Sequence, residues 1–328
     1  MRKLASIQKI TDIKPIMGAD NIACAKVLGY QIVIAKKDNF SVGEKVIFIE
    51  PDSIVPNIPQ FNFMEKNGFR VKTIRLRKQI SQGLILPLSQ FSFSQEQFAE
   101  GEDLTALLQI NKLEDTKIHI GGDIANIFPA FVPKTDAARL QSAPELLELA
   151  TKAPLSITGK MDGASSTFYW HKGRFAVCSR NVELKKSDKN LYWQIARKYD
   201  LENKLKGLNL AIQGEICGPK VQKNRQQLSR HKLFVFDIFN ISSQEYLKFD
   251  KMKTVCERLE LPTVPIVREN FVAPENFGIE EWLKMSRAKF ENDTWLEGIV
   301  VKYRDDSSNP PVLKFKVISP DYLLKHNI

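Results

Sequence analysis

The first hundred residues consist of short β-branched runs broken by turn residues, a pattern that restricts them to a small, many-stranded fold. Gln31 to Ala35 (QIVIA) and Lys45 to Ile49 (KVIFI) are brief and rich in Val and Ile. The stretch between them holds Asp38, Asn39 and Gly43 and reads as a hairpin turn. Val71 to Leu76 alternates apolar positions with Lys72 and Arg75, and Leu84 to Leu86 is a further apolar run stopped by Pro87. Strands this short and this closely spaced predict an OB-like β-barrel over residues 1–120.

From about 111 to 155 the chain changes character, with Pro129, Pro133, Pro144 and Pro154 interrupting it as in a linker. A domain boundary is expected near residue 120, giving a second domain over 121–328. This division suits a chain of 328 residues, at about 100–200 residues per domain. Amphipathic spacing predicts a short helix over 145–152, and the stretches 187–206, 248–260 and 280–290 also read as helical, the second of these stopping before Pro262. Lys232 to Phe239, Gly298 to Tyr303 and Val312 to Val317 read as strands, the last two joined through a turn rich in Asp, Ser, Asn and Pro. The order of these elements is α+β rather than a regular βαβ alternation.

The formal net charge of +10 favours a polyanionic partner, and its spread along the chain points to a folded basic surface rather than a basic tail. A solvated basic surface without a partner has the same composition. Cys24, Cys178, Cys217 and Cys256 are scattered, as are the four histidines, so neither a zinc-binding pattern nor a disulfide framework is present. A reducing compartment is expected. No apolar run of about 18 residues marks a membrane span.

The residues that carry chemistry begin at Lys160-Met161-Asp162-Gly163, after the apolar run Leu155 to Ile157. On an extended chain Lys160 and Asp162 share a face, and Gly163 permits a tight turn or the close approach of a ligand. A lysine is a nucleophile only when deprotonated, which requires cationic neighbours, a metal ion or burial. Alone, K-x-D-G equally describes a surface ion pair at a strand end. Near the C-terminus, Glu297 precedes an apolar strand, and Lys314 and Lys316 flank Phe315 on another. Two ammonium groups on one strand face invite a phosphate between them. Beside Lys160 they would lower the pKa of the nucleophile. Glu215 lies between glycines in Gly214-Glu215-Ile216-Cys217-Gly218. Asp162, Glu215 and Glu297 together could gather round a hydrated Mg²⁺. Arg180 and Asn181 offer a guanidinium and an amide to a ribose or phosphate, and Phe236 could stack on a purine or simply fill a core.

The order K-M-D-G, S-R-N, G-E-I-C-G, L-F-V-F-D, E-G-I-V-V-K and L-K-F-K, spanning Lys160 to Lys316, resembles the covalent nucleotidyltransferase superfamily of ATP-dependent polynucleotide ligases and capping enzymes. In most DNA ligases and capping enzymes of that superfamily an OB domain follows the last lysine motif, whereas here the barrel-like segment precedes the first. Ile74 to Leu84 (IRLRKQISQGL) and Phe131 to Gln141 (FVPKTDAARLQ) add a likeness to the RNA ligase family with an N-terminal OB domain. The resemblance implies an α+β adenylyltransferase domain after the barrel. It also implies ATP and Mg²⁺ or Mn²⁺ as cofactors and the sealing of 3′-OH/5′-phosphate RNA ends, such as nicks in duplex RNA, through a lysyl–AMP intermediate and an AMP-capped 5′ end. By the same resemblance Lys160 is the nucleophile and Phe236 stacks on adenine. Glu215 and Arg180 touch the ribose with Asn181 nearby, and Lys314 and Lys316 bind the α-phosphate. Asp162 and Glu297 orient metal-bound water, a role Glu215 could share. Arg139 is expected to contact phosphate from the linker. Lys223 and Arg225, in the segment 220–230, are expected to face RNA, although ordinary surface charge would look the same. A monomer acting on RNA, with no membrane attachment, is expected.

Three other readings fit parts of this pattern. A GTP-using capping enzyme would differ in the labelling nucleotide, and a DNA ligase in the 3′-OH strand it accepts. An RNA-binding barrel protein with an inactive transferase domain would have lost Lys160, Lys314, Lys316, Glu215 or Glu297, all of which are present.

Overall fold

The computed structural model describes residues 2–113, 123–303 and 313–328. The chain forms two compact units: residues 1–114 with 140–144 and 320–328, and residues 115–139 with 145–319. The boundary expected near residue 120 lies outside the described residues, as does the Asp-, Ser-, Asn- and Pro-rich turn before residue 313.

In the first unit the strands are β1 (Ala5–Pro15), β2 (Ile22–Val27), β3 (Tyr30–Ala35), β4 (Lys45–Ile49), β5 (Ser53–Ile54), β6 (Arg70–Val71), β7 (Thr73–Leu76), β8 (Gln79–Gln82), β9 (Leu84–Pro87) and β10 (Asn111–Lys112). They form a five-stranded sheet in the order β3-β2-β1-β4-β9, a small sheet β10-β5-β6 and the hairpin β7-β8. The hairpin expected between β3 and β4 does not form, because β2 and β1 lie between them in the sheet. This eleven-residue strand pairs with β4 through Ala5–Lys9 and with β2 through Ile10–Pro15, and its register slips between Ile10 and Asp12. An irregularity of this kind bends a strand and increases its twist, which curls the sheet into a half-barrel. Its two faces bury separate cores, one around Ile7, Ile47, Phe61 and Leu104 and one around Ala25, Tyr30, Ile32 and Phe48. The unit is completed by a C-terminal helix, Pro320–His326, with Tyr322 and Leu323 buried. Beyond it the Thr73 N–H donates to the Ile328 carbonyl at 3.2 Å.

The second unit is built from two sheets. Its strands are β11 (Ile124–Ile127), β12 (Ala138–Arg139), β13 (Leu155–Lys160), β14 (Ala164–His171), β15 (Arg174–Cys178), β16 (Val182–Leu184), β17 (Leu210–Cys217), β18 (Lys232–Asn240), β19 (Glu245–Tyr246), β20 (Ile266–Phe271), β21 (Gly298–Tyr303) and β22 (Leu313–Ile318). The larger sheet runs β11-β16-β15-β14-β17-β18-β19 and the smaller β12-β22-β21-β13-β20. Only the β12–β22 pair is parallel among the described strands of the smaller sheet. The larger sheet buries Phe168, Val177, Ile212 and Val235 with Trp193, Ile195, Met252 and Cys256 from helices on one face. Met161, Cys217, Phe234, Val264, Phe290 and Leu296 fill a second core.

The helices are shorter than their periodicity suggests. The one expected over 187–206 is two, Leu191–Lys198 and Leu201–Lys204, because Asp200 takes a left-handed φ of 52° between them. Asn190 starts the first by accepting hydrogen bonds from the Tyr192 and Trp193 N–H groups, an N-cap that competes with extending the helix backwards. The others span Leu146–Ala150, Phe249–Arg258 and Ile279–Met285. No helix among the described residues is long and apolar enough to cross a membrane.

Candidate active site

Lys160 ends β13, opposite Gly298 of β21, and Glu297 sits one residue before that strand. The Glu297 N–H donates to the Lys160 carbonyl at 3.0 Å, and Lys160 Nζ donates to the Glu297 carboxylate. Asp162 accepts from Arg225 Nη1 at 2.5 Å, with side chains only 12% and 4% exposed. Gly163 is demanded by close packing, since a methyl group there would lie 2.4 Å from the Ile216 carbonyl oxygen and 2.8 Å from Glu215 Cγ. The glycine therefore lets the lysine-bearing turn press against the strand that carries Glu215.

The protonation states follow from this crowding. Burial pushes the Lys160 amine down, but the negative charges of Glu297, Glu215 and Asp162 outweigh it and hold the ammonium above its ordinary value. Burial raises the Glu215 carboxyl to about 8; Lys160 opposes this, while Glu297 and Asp162 add to it. The sequence suggested a nucleophile surrounded by cations. In the free protein its surroundings are anionic instead, and the amine is a protonated partner of Glu297.

Two strand lysines, Lys302 and Lys314, share one buried carboxylate. Asp237 holds Lys302 through Oδ1 and Lys314 through Oδ2, each at 3.1 Å. Lys302 also donates to the Phe236 carbonyl at 2.6 Å. This arrangement depends on a bulge. Gln213 pairs with Asp237 and Gly214 with Val235, so Phe236 is an extra residue in β18. Val235 and Ile238 both enter the helix-side core, while Phe236 and Asp237 between them face the opposite side. A bulge re-aims side chains in this manner, and here it brings an aromatic ring and a carboxylate to the same place. Nζ of Lys302 and of Lys314 lie 5.6 and 6.0 Å from the Phe236 ring centroid.

A cleft in this unit is lined by Lys160, Arg180, Glu215, Phe236, Lys314 and Lys316, together with Thr158, Asp136 and Lys302. Six of the residues singled out from the sequence thus converge. Asp162 and Glu297 do not line the cleft but act on Lys160 from beside it. Arg180 is ion-paired with Asp136, and Asn181 is exposed outside the cleft. Arg139 is buried in β12, in register with Lys316. Lys223 is exposed, whereas Arg225, expected to face outward, is buried against Asp162. Sequence reasoning counted Asp237 and Lys302 within motifs but gave them no role, although a lysine ending the apolar run Ile299 to Val301 is a signal for a buried ion pair.

No three His, Cys, Asp or Glu side chains among the described residues gather closely enough to hold a metal ion directly. The carboxylates Asp162, Glu215 and Glu297 nevertheless all act on one ammonium, and their mutual repulsion adds to the burial that raises the Glu215 carboxyl to about 8. A divalent cation would relieve that repulsion, and an all-carboxylate set suits one that keeps most of its water.

A family model for RNA ligase matches residues 153–318, and one for an OB-fold domain matches residues 4–88. A glutamate-to-alanine variant of Naegleria gruberi RNA ligase, solved with ATP and Mn, has a TM-score of 0.90 and 32% identity over 100% of both chains. The same enzyme with PPi gives 0.90 and 33% over 100% of this chain and 99% of that one. An apo aspartate-to-alanine variant gives 0.89 and 32% over 99% and 98%. No curated protein sequence matches this one.

Proposed function

Since this chain belongs to the RNA ligase family, we propose that it is an ATP-dependent RNA ligase that carries AMP on Lys160 and seals 3′-OH/5′-phosphate ends, as at a nick in duplex RNA. The observation that carries this reading is the placement of Lys160 in one cleft with Phe236, Glu215, Lys314 and Lys316. The Phe236 ring offers a purine a flat apolar face, and Glu215 and Arg180, which line the same cleft, would meet the ribose. Lys314 and Lys316 supply positive charge for the α-phosphate, with Asp237 fixing the first of the two. ATP and Mn accompany variants of the Naegleria gruberi enzyme in some of its solved structures, and the same pair suits the cleft here.

In the first step Lys160 Nζ, having lost its proton, bonds to the α-phosphorus, and the bond to pyrophosphate breaks. In the second a 5′-phosphate oxygen takes the AMP and the phosphorus–nitrogen bond breaks, returning the amine. In the third a 3′-OH attacks the capped end, a phosphodiester forms and AMP leaves. The sequence of steps replaces a poor leaving group with a good one. A divalent ion held through water by Asp162, Glu215 and Glu297 would supply charge that neutralises these carboxylates and the phosphates. Neutralising Glu297, Glu215 and Asp162 in this way would weaken the negative field that holds the proton on Lys160.

Incubation with α-labelled ATP tests the reading. The wild-type protein acquires a label that pyrophosphate or nicked RNA discharges, and Lys160→Ala acquires none. A labelled Lys160→Ala protein would show that another residue is the nucleophile.

A further inference from the structure

The first unit contains a groove of about 650 Å³ that the adenylylation chemistry does not use. It is walled by β3, β9, the hairpin strand β7 and the 3₁₀ stretch Pro59–Asn67. Three features of its lining point to a ligand. Phe63 is 55% exposed and Ile74 and Leu76 are 43% and 40% exposed, which leaves an uncovered apolar floor with an aromatic ring in it. Lys37, Arg70 and Lys72 are set against a single acid of the lining, Asp38. The Arg70 Nε is buried and has no hydrogen-bond partner among the described residues, a costly state for a guanidinium unless a ligand completes it.

The hairpin wall extends the positive charge. Arg77 and Lys78 at its tip are exposed and hold left-handed φ values of 47° and 69°. A polyanion with flat apolar units matches this combination of accessible ring and cations. A ring open for stacking takes an unpaired base, which favours a single strand over a duplex.

We propose that this groove binds single-stranded RNA, with Phe63 stacking on a base and Lys37, Arg70 and Lys72 holding the flanking phosphates. The site adds capture of an unpaired RNA segment to the sealing reaction and stands independently of the adenylylation chemistry.

Fluorescence anisotropy of a labelled ten-nucleotide RNA with the full chain, without ATP or divalent metal, tests it. Phe63→Ala weakens binding by roughly 5- to 150-fold, the range for loss of one stacked base, while Phe63→Tyr keeps wild-type affinity. Lys37→Ala lowers the slope of log affinity against log salt by about one phosphate contact. Labelling by α-labelled ATP stays at the wild-type level in all three variants, which separates failure of this site from failure of the active site. Unchanged affinity in Phe63→Ala overturns the proposal, and so does a loss confined to a fully paired duplex of the same length.

Discussion

Lys160 and Glu297 are tied to each other twice, once through the Glu297 N–H and the Lys160 carbonyl and once through their side chains. The backbone bond fixes the register of β13 against the start of β21, so the side-chain pair is imposed by the sheet rather than by chance contact. Glu297 is also the largest influence raising the amine. Removing its charge leaves burial, which acts in the opposite direction, opposed only by the weaker influence of Glu215 and Asp162. In Glu297→Gln the pH at which Lys160 of the free protein reacts with an amine-directed reagent therefore falls. Peptide mass spectrometry across a pH series measures this, and a midpoint equal to or above that of the wild type removes Glu297 as the cause.

Glu215 provides a test through stability. Its carboxyl titrates at about 8 in the folded protein, above the ordinary 4.5. The folded state thus holds a proton that the unfolded chain has released, and stability declines as pH rises from about 4.5 to about 8. Glu215→Gln removes that loss. We expect the free variant to be more stable than wild type at pH 8.5 by about 1–2 kcal/mol, after allowance for solvent screening of a partly exposed group, and nearly equal to it at pH 4.5. Thermal unfolding at the two pH values decides this. Labelling by ATP should fall in the same variant, a trade of activity for stability that sites of this kind often show.

Asp237 bears on both fold and site. Its side chain is 1% exposed and that of Lys302 7%. Asp237→Asn leaves a buried ammonium without its counter-charge, at a cost of about 3–5 kcal/mol. Urea denaturation should show this, together with weaker ATP binding because Lys314 loses its anchor. A variant with wild-type stability would mean that the two lysines find other partners.

Gly163→Ala inserts a methyl group 2.4 Å from the Ile216 carbonyl oxygen, which is backbone and cannot swing aside. Overpacking of this sort costs about 1–3 kcal/mol. The turn must lift, which moves Asp162 from Arg225 and slows labelling of Lys160. A variant that labels at the wild-type rate would show that the close approach is not needed for chemistry.

The residues of the cleft were legible because each lies in a short motif whose chemistry constrains it: Lys160 before Asp162 and Gly163, Glu215 between glycines, Lys314 and Lys316 at strand spacing. Their partners were not. Arg225 is separated from Asp162 by 63 positions, and a run of polar residues around it gives no sign that it turns inward. The bulge at Phe236 is equally hidden, because Leu233 to Phe239 reads as one apolar strand and the extra residue is visible only against β17. For the same reason the protonation of Lys160 was misjudged, since its field comes from acids 55 and 137 residues away, Glu215 and Glu297. In the half-barrel β3, β4, β7 and β9 could be located, but β1 and β2 were not, and the order of the sheet depends on them because β1 pairs with β2 on one side and β4 on the other.

The hydrogen bond between Thr73 and Ile328, with the burial of Tyr322 and Leu323, has a consequence for biosynthesis. Domains usually mature in the order in which the ribosome makes them. Here the earliest-made unit must wait, incomplete, while residues 145–319 are translated, and it closes only when residues 320–328 emerge. A polypeptide halted at residue 319 would contain every motif of the cleft and yet leave its half-barrel unfinished.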